Sequence, residues 1–213
     1  MALLKDTYPA RFDVEYVEEH DRKTTLFRIF WSAPILIILA LLTSFGSENG
    51  INEAGKQVSA NGGSIALGLF VATALMILFR QRYPRWWFDF SVELNRFSAR
   101  IGSYLLLLTD RYPSTTEKQA IHLDFDYPNV EKDLNRWLPL VKWFLAIPHY
   151  VILFVLIIAA LGSTILAWFS VMLTGRYPKS LFDFVVGVGR WCTRVEAYAF
   201  ILVTDEYPPF SLK

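Results

Sequence analysis

A long internal repeat is the feature of this sequence that most restricts its fold. The stretch Thr174–Pro208 repeats one that lies about ninety-four residues upstream, with residue types and spacing retained. The offset is constant from the pair Arg82 and Arg176 onward, and it slips by one residue before a shared Thr-Asp pair. A match of this length indicates a tandem duplication, so we expect two copies of one unit. We place the copies at residues 1–118 and 119–213.

The corners of the repeat have the same residues in both copies. Each copy has an Arg-Tyr-Pro corner followed by an aromatic-Asp-Phe segment. Proline suits a turn or the first turn of a helix, and an aspartate early in a helix interacts favourably with its positive end. We therefore predict a structural role, common to both copies, for six residues: Tyr83, Pro84, Asp89, Tyr177, Pro178 and Asp183.

The composition is typical of a membrane protein. Hydrophobic residues make up 54% of the 213 residues and charged residues only 19%, and the apolar residues are gathered into long runs. The net charge of +1 gives no indication of a nucleic-acid partner. The single cysteine, Cys192, excludes an intrachain disulfide and a cysteine-based metal cluster.

The first copy is predicted to form a transmembrane hairpin. Leu26–Phe45 provides about twenty mostly apolar residues, enough to span about 30 Å of hydrocarbon as a helix. Arg28 near its start is expected to extend its charged end to the headgroups. A Gly/Asn/Ser-rich loop at residues 47–63 then leads to Ser64–Phe79, a second and somewhat short apolar helix.

The second copy is predicted to form a shorter hairpin. Its apolar run, Phe144–Leu173, is less than the forty or so residues that two full spans require. We favour two short spans that turn near Gly162. A short, tilted or partly re-entrant hairpin over about residues 143–175 stays open as the alternative.

Two alternating segments precede the hairpins. In Tyr8–Tyr16 and in Ile121–Tyr127, apolar and polar residues alternate, which predicts half-exposed strands. Lys and Arg are concentrated on the side of the membrane that carries these segments, which predicts cytoplasmic termini. The predicted fold is therefore an all-α membrane protein: four transmembrane helices in two tandem two-helix repeats, each followed by an amphipathic interfacial helix, with short cytoplasmic β segments that pair.

The segments after the hairpins are predicted to be amphipathic helices in the headgroup layer. Trp87–Leu105 has an apolar residue every three or four positions and charged residues opposite, and the second copy has the same pattern. Each helix carries two arginines at a spacing of four, so each pair projects from one face. The favoured interpretation is that these arginines extend to the headgroups, or pair with the aspartate of the repeat or of the Thr-Asp turn. Binding of a lipid phosphate is the alternative. The four residues are Arg96, Arg100, Arg190 and Arg194.

No pattern of catalytic residues is evident. The sequence lacks a nucleophile elbow, a Walker loop, a dinucleotide fingerprint and a zinc-ligand spacing. His149 lies near the start of the third predicted span, where an ionisable residue is a functional candidate. A hydrogen-bonded interfacial histidine is the favoured interpretation, and contact with a haem or quinone is the alternative. We expect no metal and no resident cofactor.

The sequence resembles a bacterial membrane family, domain-of-unknown-function family 4389. The resemblance is carried by Arg136–Trp143, Ile147–Tyr150, Thr174–Pro178 and Leu181–Phe184, and it is strongest from Ile121 to Leu212. It implies an integral membrane protein. Together with the Lys and Arg distribution, it leads us to expect a multi-pass protein of the bacterial inner (cytoplasmic) membrane with both termini cytoplasmic. It implies no reaction.

Three functions remain in competition. The leading hypothesis is a non-catalytic accessory or scaffold subunit that packs against other membrane proteins or self-associates. The first alternative is a protein that binds or translocates membrane lipids, with the paired arginines at the headgroup level and the cleft between the repeats. The second alternative is a small redox-complex subunit that holds haem or quinone.

Overall fold

A computed structural model describes residues 8–43, 47–51, 57–61, 65–114 and 120–213. Within these ranges, a short 3-10 turn accompanies seven helices and four strands. The helices are α1 (Arg22–Thr43), α2 (Ile65–Arg80), α3 (Arg85–Leu105), α4 (Val130–Asp133), α5 (Lys142–Leu145), α6 (Ile147–Thr174) and α7 (Lys179–Ala199). The strands are β1 (Ala10–Val14), β2 (Ser47–Ile51), β3 (Gln57–Asn61) and β4 (Ile121–Phe125).

The two alternating segments pair, as predicted. Strands β1 and β4 form an antiparallel two-stranded sheet in which Phe12 lies opposite Leu123. The segment at residues 47–63, predicted to be a loop, contains a second antiparallel pair, β2 with β3.

The prediction of four transmembrane helices is wrong. In the described part of the chain, two helices are long and apolar enough to cross a membrane, over Arg22–Ala40 and Ile147–Thr174. The second helix of the first predicted hairpin has only a shorter apolar stretch, Leu67–Arg80.

The second predicted hairpin is one continuous helix. Residues 147–174 are helical throughout, including the predicted turn at Gly162. A single glycine costs a helix only about 1 kcal/mol, and the residues just before it, Ala159, Ala160 and Leu161, are good helix formers. Ser163 also bonds the carbonyl of Ala159 one turn back, at 2.9 Å, and so leaves the helix intact. At 1.5 Å per residue, helix α6 is about 42 Å long, which exceeds the hydrocarbon thickness.

The predicted amphipathic helices exist as α3 and α7, but their apolar faces pack inside the protein. The interfacial position assigned to them in the predicted fold is therefore corrected. Helix α7 has twelve buried residues, among them Val185, Ala197 and Tyr198. An apolar stripe is satisfied equally by lipid or by protein, and here strands and other helices cover it.

Each strand packs against the helix of the other repeat. At the end of β1, the hydroxyl of Tyr16 donates to the carbonyl of Tyr177 at 2.7 Å, and the Tyr16 ring lies 5.0 Å from that of Phe182. At the end of β4, the hydroxyl of Tyr127 likewise donates to the carbonyl of Tyr83. The two sequence repeats therefore exchange their strands.

The unusual backbone conformations also occur in pairs. Gln81 and Gly175 both have a positive φ, 47° and 75°, and each directly follows a helix, α2 or α6. Leu107 and Leu202 have φ values of 64° and 61°, and both are buried. A leucine with positive φ is sterically disfavoured, so tertiary packing must impose it at both positions.

Candidate functional site

A cleft of about 800 Å³ lies between the two repeats. Helices α2 and α3 of the first repeat and α6 and α7 of the second contribute its walls, which are largely apolar. Its volume lies in the range of small-molecule binding sites, about 300–1,000 Å³. Representative lining residues are Leu67, Phe70, Leu94, Leu106, Ile157 and Val188.

Several hydroxyl groups of the cleft wall donate to backbone carbonyls. Ser91 bonds the carbonyl of Trp87 at 2.9 Å, Ser98 that of Leu94 at 3.0 Å, and Thr193 that of Gly189 at 3.0 Å. Hydroxyls that bond the preceding turn of their own helix are not free to bind a ligand strongly. The wall is therefore less polar than its residue types indicate.

One carboxylate lines this apolar cleft. Glu196 on α7 has no hydrogen-bond or ion-pair partner for its side chain among the described residues. Burial raises its pKa to about 7, because the surroundings penalise the charged form. The equivalent position of the first repeat is Gly102, where an added Cβ would meet open space. The carboxylate is thus present in one copy only.

Two of the four predicted headgroup arginines hold the strands of the sheet. Arg96 donates from Nε to the carbonyl of Leu123 at 2.9 Å and pairs with Asp124. Arg190 donates from Nε to the carbonyl of Phe12 at 3.2 Å and pairs with Asp13 at 2.6 Å.

The other two arginines bind carbonyls of later segments. Arg100 donates to the carbonyl of Ser114 at 2.7 Å, and Arg194 donates to those of Lys213, at 2.8 Å, and Ser211. Each arginine of the two pairs therefore has a protein partner. Arg96 and Arg190 pair with the strand aspartates Asp124 and Asp13, which are not the aspartates that the sequence suggested. A lipid-binding role for them remains a prediction.

His149 lies in an aromatic environment. It is fully buried, its Nδ1 accepts a hydrogen bond from Trp191 Nε1 at 3.0 Å, and its ring stacks on Phe210 with centroids 4.1 Å apart. Because Nδ1 accepts, the proton of a neutral ring lies on Nε2. Within the described ranges, no group of three or more His, Cys, Asp or Glu side chains could hold a metal ion.

The six residues predicted to have a structural role in both copies lie at equivalent positions before and within α3 and α7. Pro84 and Pro178 directly precede α3 and α7, and the carbonyls of Tyr83 and Tyr177 accept the exchanged tyrosine hydroxyls. The two aspartates pair with basic residues one turn earlier: Asp89 with Arg85 at 3.5 Å and Asp183 with Lys179 at 2.8 Å.

A family model described as "Domain of unknown function (DUF4389)" matches residues 137–211. The matched residues, 137–211, are called the DUF4389 segment below. No curated protein and no solved structure matched the chain in the same comparisons. The resemblance predicted from the sequence is therefore confirmed over this segment.

The DUF4389 segment contains a buried ion pair that the sequence analysis missed. Lys142 is 1% exposed, and its ammonium lies 2.6 Å from the Asp205 carboxylate and donates to the carbonyl of Thr204 at 2.6 Å. Burial lowers the pKa of Lys142, and Asp205 opposes that effect only in part. The amide of Asn135 also donates to Asp205, at 2.5 Å.

The first repeat has an equivalent ion pair. Arg28, predicted to extend to the headgroups, instead pairs with Asp110 and is 3% exposed. His20 Nδ1 lies 3.0 Å from the same carboxylate, and the amide of Asp21 donates to it at 2.8 Å. The aligned positions of Arg28 and Lys142, together with the repeated Thr-Asp pair, were the sequence signal for both ion pairs.

Glu196 was missed for the opposite reason. It lies on the DUF4389 helix α7, where an acidic residue replaces the Gly102 of the first repeat. The signal was a difference between the copies, whereas the sequence analysis sought residues common to both.

Proposed function

We propose that this protein binds an apolar or amphiphilic lipid-like molecule in the cleft between its repeats. The observation that carries the proposal is the apolar cleft of about 800 Å³, in whose wall the hydroxyls of Ser91, Ser98 and Thr193 donate to the backbone. An apolar site with few polar groups favours a ligand of the same character.

The exterior of the molecule supports a membrane setting for this activity. Helices α1 and α6 expose large apolar side chains over much of their length, including Ile29 at 82%, Phe30 at 76% and Phe154 at 67%. Continuous apolar surface of this kind is typical of contact with lipid or with another protein.

The arginines are not the part of the molecule that supports lipid binding. Arg96 and Arg190 are occupied by strand carbonyls and aspartates, as described above. The proposal keeps the lipid-binding class and places the ligand in the cleft.

Filling the cleft tests the proposal. Gly102 lines it, and a side chain there would project into open space, so Gly102→Leu should fill the cleft and leave the fold intact. Leucine also has the higher helix propensity. Native mass spectrometry of detergent-purified protein should show bound lipid-like molecules on the wild type and a loss of at least about tenfold in occupancy for this variant, a change of about 1.4 kcal/mol.

Gly162→Leu is the matched control. Gly162 lies on α6, outside the cleft lining, and a side chain there also meets open space. This variant should retain the bound molecules. Equal retention by Gly102→Leu and Gly162→Leu would contradict the proposal.

The scaffold function is the second candidate, and one observation favours it. Aromatic side chains are exposed around the start of the DUF4389 segment: Trp137 at 66%, Trp143 at 51% and Phe144 at 61%. Tryptophan and phenylalanine are enriched at protein interfaces. A lone monomer in mild detergent, with no co-purifying protein, would contradict a scaffold role. The haem or quinone hypothesis predicts an absorption spectrum or extractable quinone in the same preparation.

A further inference from the structure

The charged side chain among the described residues that line the cleft, Glu196, belongs to α7 of the second repeat. Among the cleft's described lining residues, α2, α3 and α6 contribute no Lys, Arg, His, Asp or Glu. The titratable lining groups besides Glu196 are Tyr83, at the corner before α3, and Cys192, one turn before Glu196 on α7. Burial raises the pKa of Tyr83 to about 12 and that of Cys192 to about 11, so both are neutral at physiological pH. Glu196 therefore faces no fixed positive charge.

An unpaired carboxylate in an apolar wall is unfavourable. A buried charge is normally paired, or it neutralises by taking up a proton. The hydroxyls of Ser98 and Thr193 donate to backbone carbonyls, so their protons are not available to Glu196. A cation that enters the cleft with a ligand would supply the missing partner.

We propose that Glu196 binds the ammonium group of a long-chain amine whose apolar tail fills the cleft. This inference rests on the proposed function, since it assumes that the cleft takes an amphiphilic ligand. An ammonium bonded to a carboxylate forms a charge-assisted hydrogen bond, which is about twice as strong as a neutral one. In a low-dielectric wall, the same pair also gains Coulomb energy.

Other lipid classes fit the cleft less well. A fatty acid would bring a second negative charge next to Glu196. An aminophospholipid carries a phosphate as well as an amine, and no described lining residue is basic enough to bind that phosphate. A fatty alcohol has no charge to offer. The amine is the class whose charge complements the site.

The asymmetry of the repeats gives the ligand a direction. Glu196 belongs to α7 of the second repeat, whereas the equivalent Gly102 on α3 leaves open space. The ammonium end should therefore lie against the second repeat and the tail against the first. A symmetric cleft would accept the ligand in both directions.

The experiment compares three ligands with the same chain length and different polar ends. Purified protein in detergent at about pH 8, above the pKa of Glu196, is titrated with a fatty amine, the matching fatty alcohol and the matching fatty acid, and bound ligand is counted by native mass spectrometry. The wild type should bind the amine about tenfold more tightly than the alcohol and the acid most weakly. The preference should shrink as the pH falls below about 7, because Glu196 then takes up a proton.

Variants separate the inference from the proposed function. Glu196→Gln should bind amine and alcohol equally, and its unchanged alcohol binding shows that it is folded. Glu131→Gln, at an exposed position on α4, should keep the amine preference. Retention of the preference by Glu196→Gln, or its absence from the wild type, would overturn the inference while cleft binding of the alcohol still supports the proposed function. Binding of none of the three ligands would overturn both.

Discussion

The two repeats bury the same kind of ion pair but support it with different partners. In the first repeat, the Asp110 carboxylate contacts Arg28, His20 and a backbone amide. In the second, the Asp205 carboxylate contacts Lys142 and a backbone amide. The first carboxylate therefore has a second basic side chain that the second lacks.

The difference shows how a duplicated site can keep its geometry while its chemistry changes. In both copies, the cation lies over a tyrosine ring, Arg28 4.5 Å from Tyr104 and Lys142 5.1 Å from Tyr198. The planar guanidinium of arginine also reaches two carbonyls, whereas the lysine ammonium reaches one. Both copies therefore have an ion pair at the same position in the fold, but the groups that contact this ion pair differ between the copies.

The largest expected effect is the loss of Lys142. Lys142→Met leaves the Asp205 carboxylate buried with no basic partner, and breaking a buried pair in this way costs about 3–5 kcal/mol. Arg28→Met should cost less, because Asp110 keeps His20 as a partner. Denaturant titration in detergent micelles, followed by circular dichroism, measures both losses.

Lys132→Met, at an exposed position on α4, serves as the control and should change stability little. A loss for Arg28→Met that equals or exceeds the loss for Lys142→Met would show that His20 does not support Asp110. The two repeats would then not differ in how strongly their buried carboxylates are supported.

A smaller effect is expected at the arginines that hold the strands. Arg96→Ala and Arg190→Ala each remove one hydrogen bond to a strand carbonyl and a half-exposed ion pair with a strand aspartate, together about 1–2 kcal/mol. Arg96→Ala should cost slightly more, because Arg96 also pairs with Glu93 on its own helix. Arg85→Ala removes an exposed pair with Asp89 and a contact with the Tyr127 ring but no hydrogen bond to a strand, and it should cost less than either.

The double variant also tests the headgroup hypothesis. If Arg96 and Arg190 only hold strands, the combined Arg96→Ala and Arg190→Ala variant keeps its co-purifying anionic lipid. A selective loss of that lipid from a folded variant would establish a lipid contact for these arginines. Mass spectrometry of the extracted lipid gives the result.

The smallest expected effect is a pH dependence confined to acid. Burial alone would raise the pKa of Asp110, but the hydrogen bonds from His20 and the Asp21 amide and the charges of His20 and Arg28 hold it below its ordinary value of 3.8. A carboxylate with a lowered pKa stabilises the fold above its unfolded pKa, and this stability is lost as pH falls through the folded pKa. Stability should therefore decline more steeply below pH 3.8 in the wild type than in Asp110→Asn.

Asp89→Asn is the control for this measurement, because Asp89 lies in an exposed pair. It should follow the wild-type curve in shape. If the stability of Asp110→Asn fell in parallel with that of the wild type at acid pH, protonation of Asp110 would not be the cause of the loss of stability in acid.

The apolar helices in the two predicted hairpin regions give a second comparison between the copies. The first repeat has two helices, α1 and α2, with strands β2 and β3 between them, whereas the second has the single helix α6. The aligned prolines also lie at different places in their helices: Pro34 lies inside α1, and Pro148 lies in the first turn of α6. Proline fits the first turn of a helix without losing a hydrogen bond, and Pro148 lies at such a position. Pro34 does not, because it lies in the interior of α1.

The sequence by itself determined the features that depend on local pattern. Alternation predicted β1 and β4, periodicity predicted α3 and α7, and the repeat predicted equivalent corners at Tyr83 and Tyr177. These signals are contained within a few turns of chain, so no distant partner is needed to interpret them. The family resemblance over the second half was evident from the same residues.

Only the tertiary structure decided which partners the side chains have. Arg28 was expected among headgroups and instead pairs with Asp110, and Arg96 was a lipid candidate and holds the carbonyl of Leu123. Gly162 was expected in a turn and lies within α6. Glu196 became a candidate ligand-binding residue only because the structure places it in the wall of the cleft. The physical reason is common to all four: an apolar face or a charge specifies that it needs a partner, and the packing of distant segments decides whether that partner is lipid, protein or ligand.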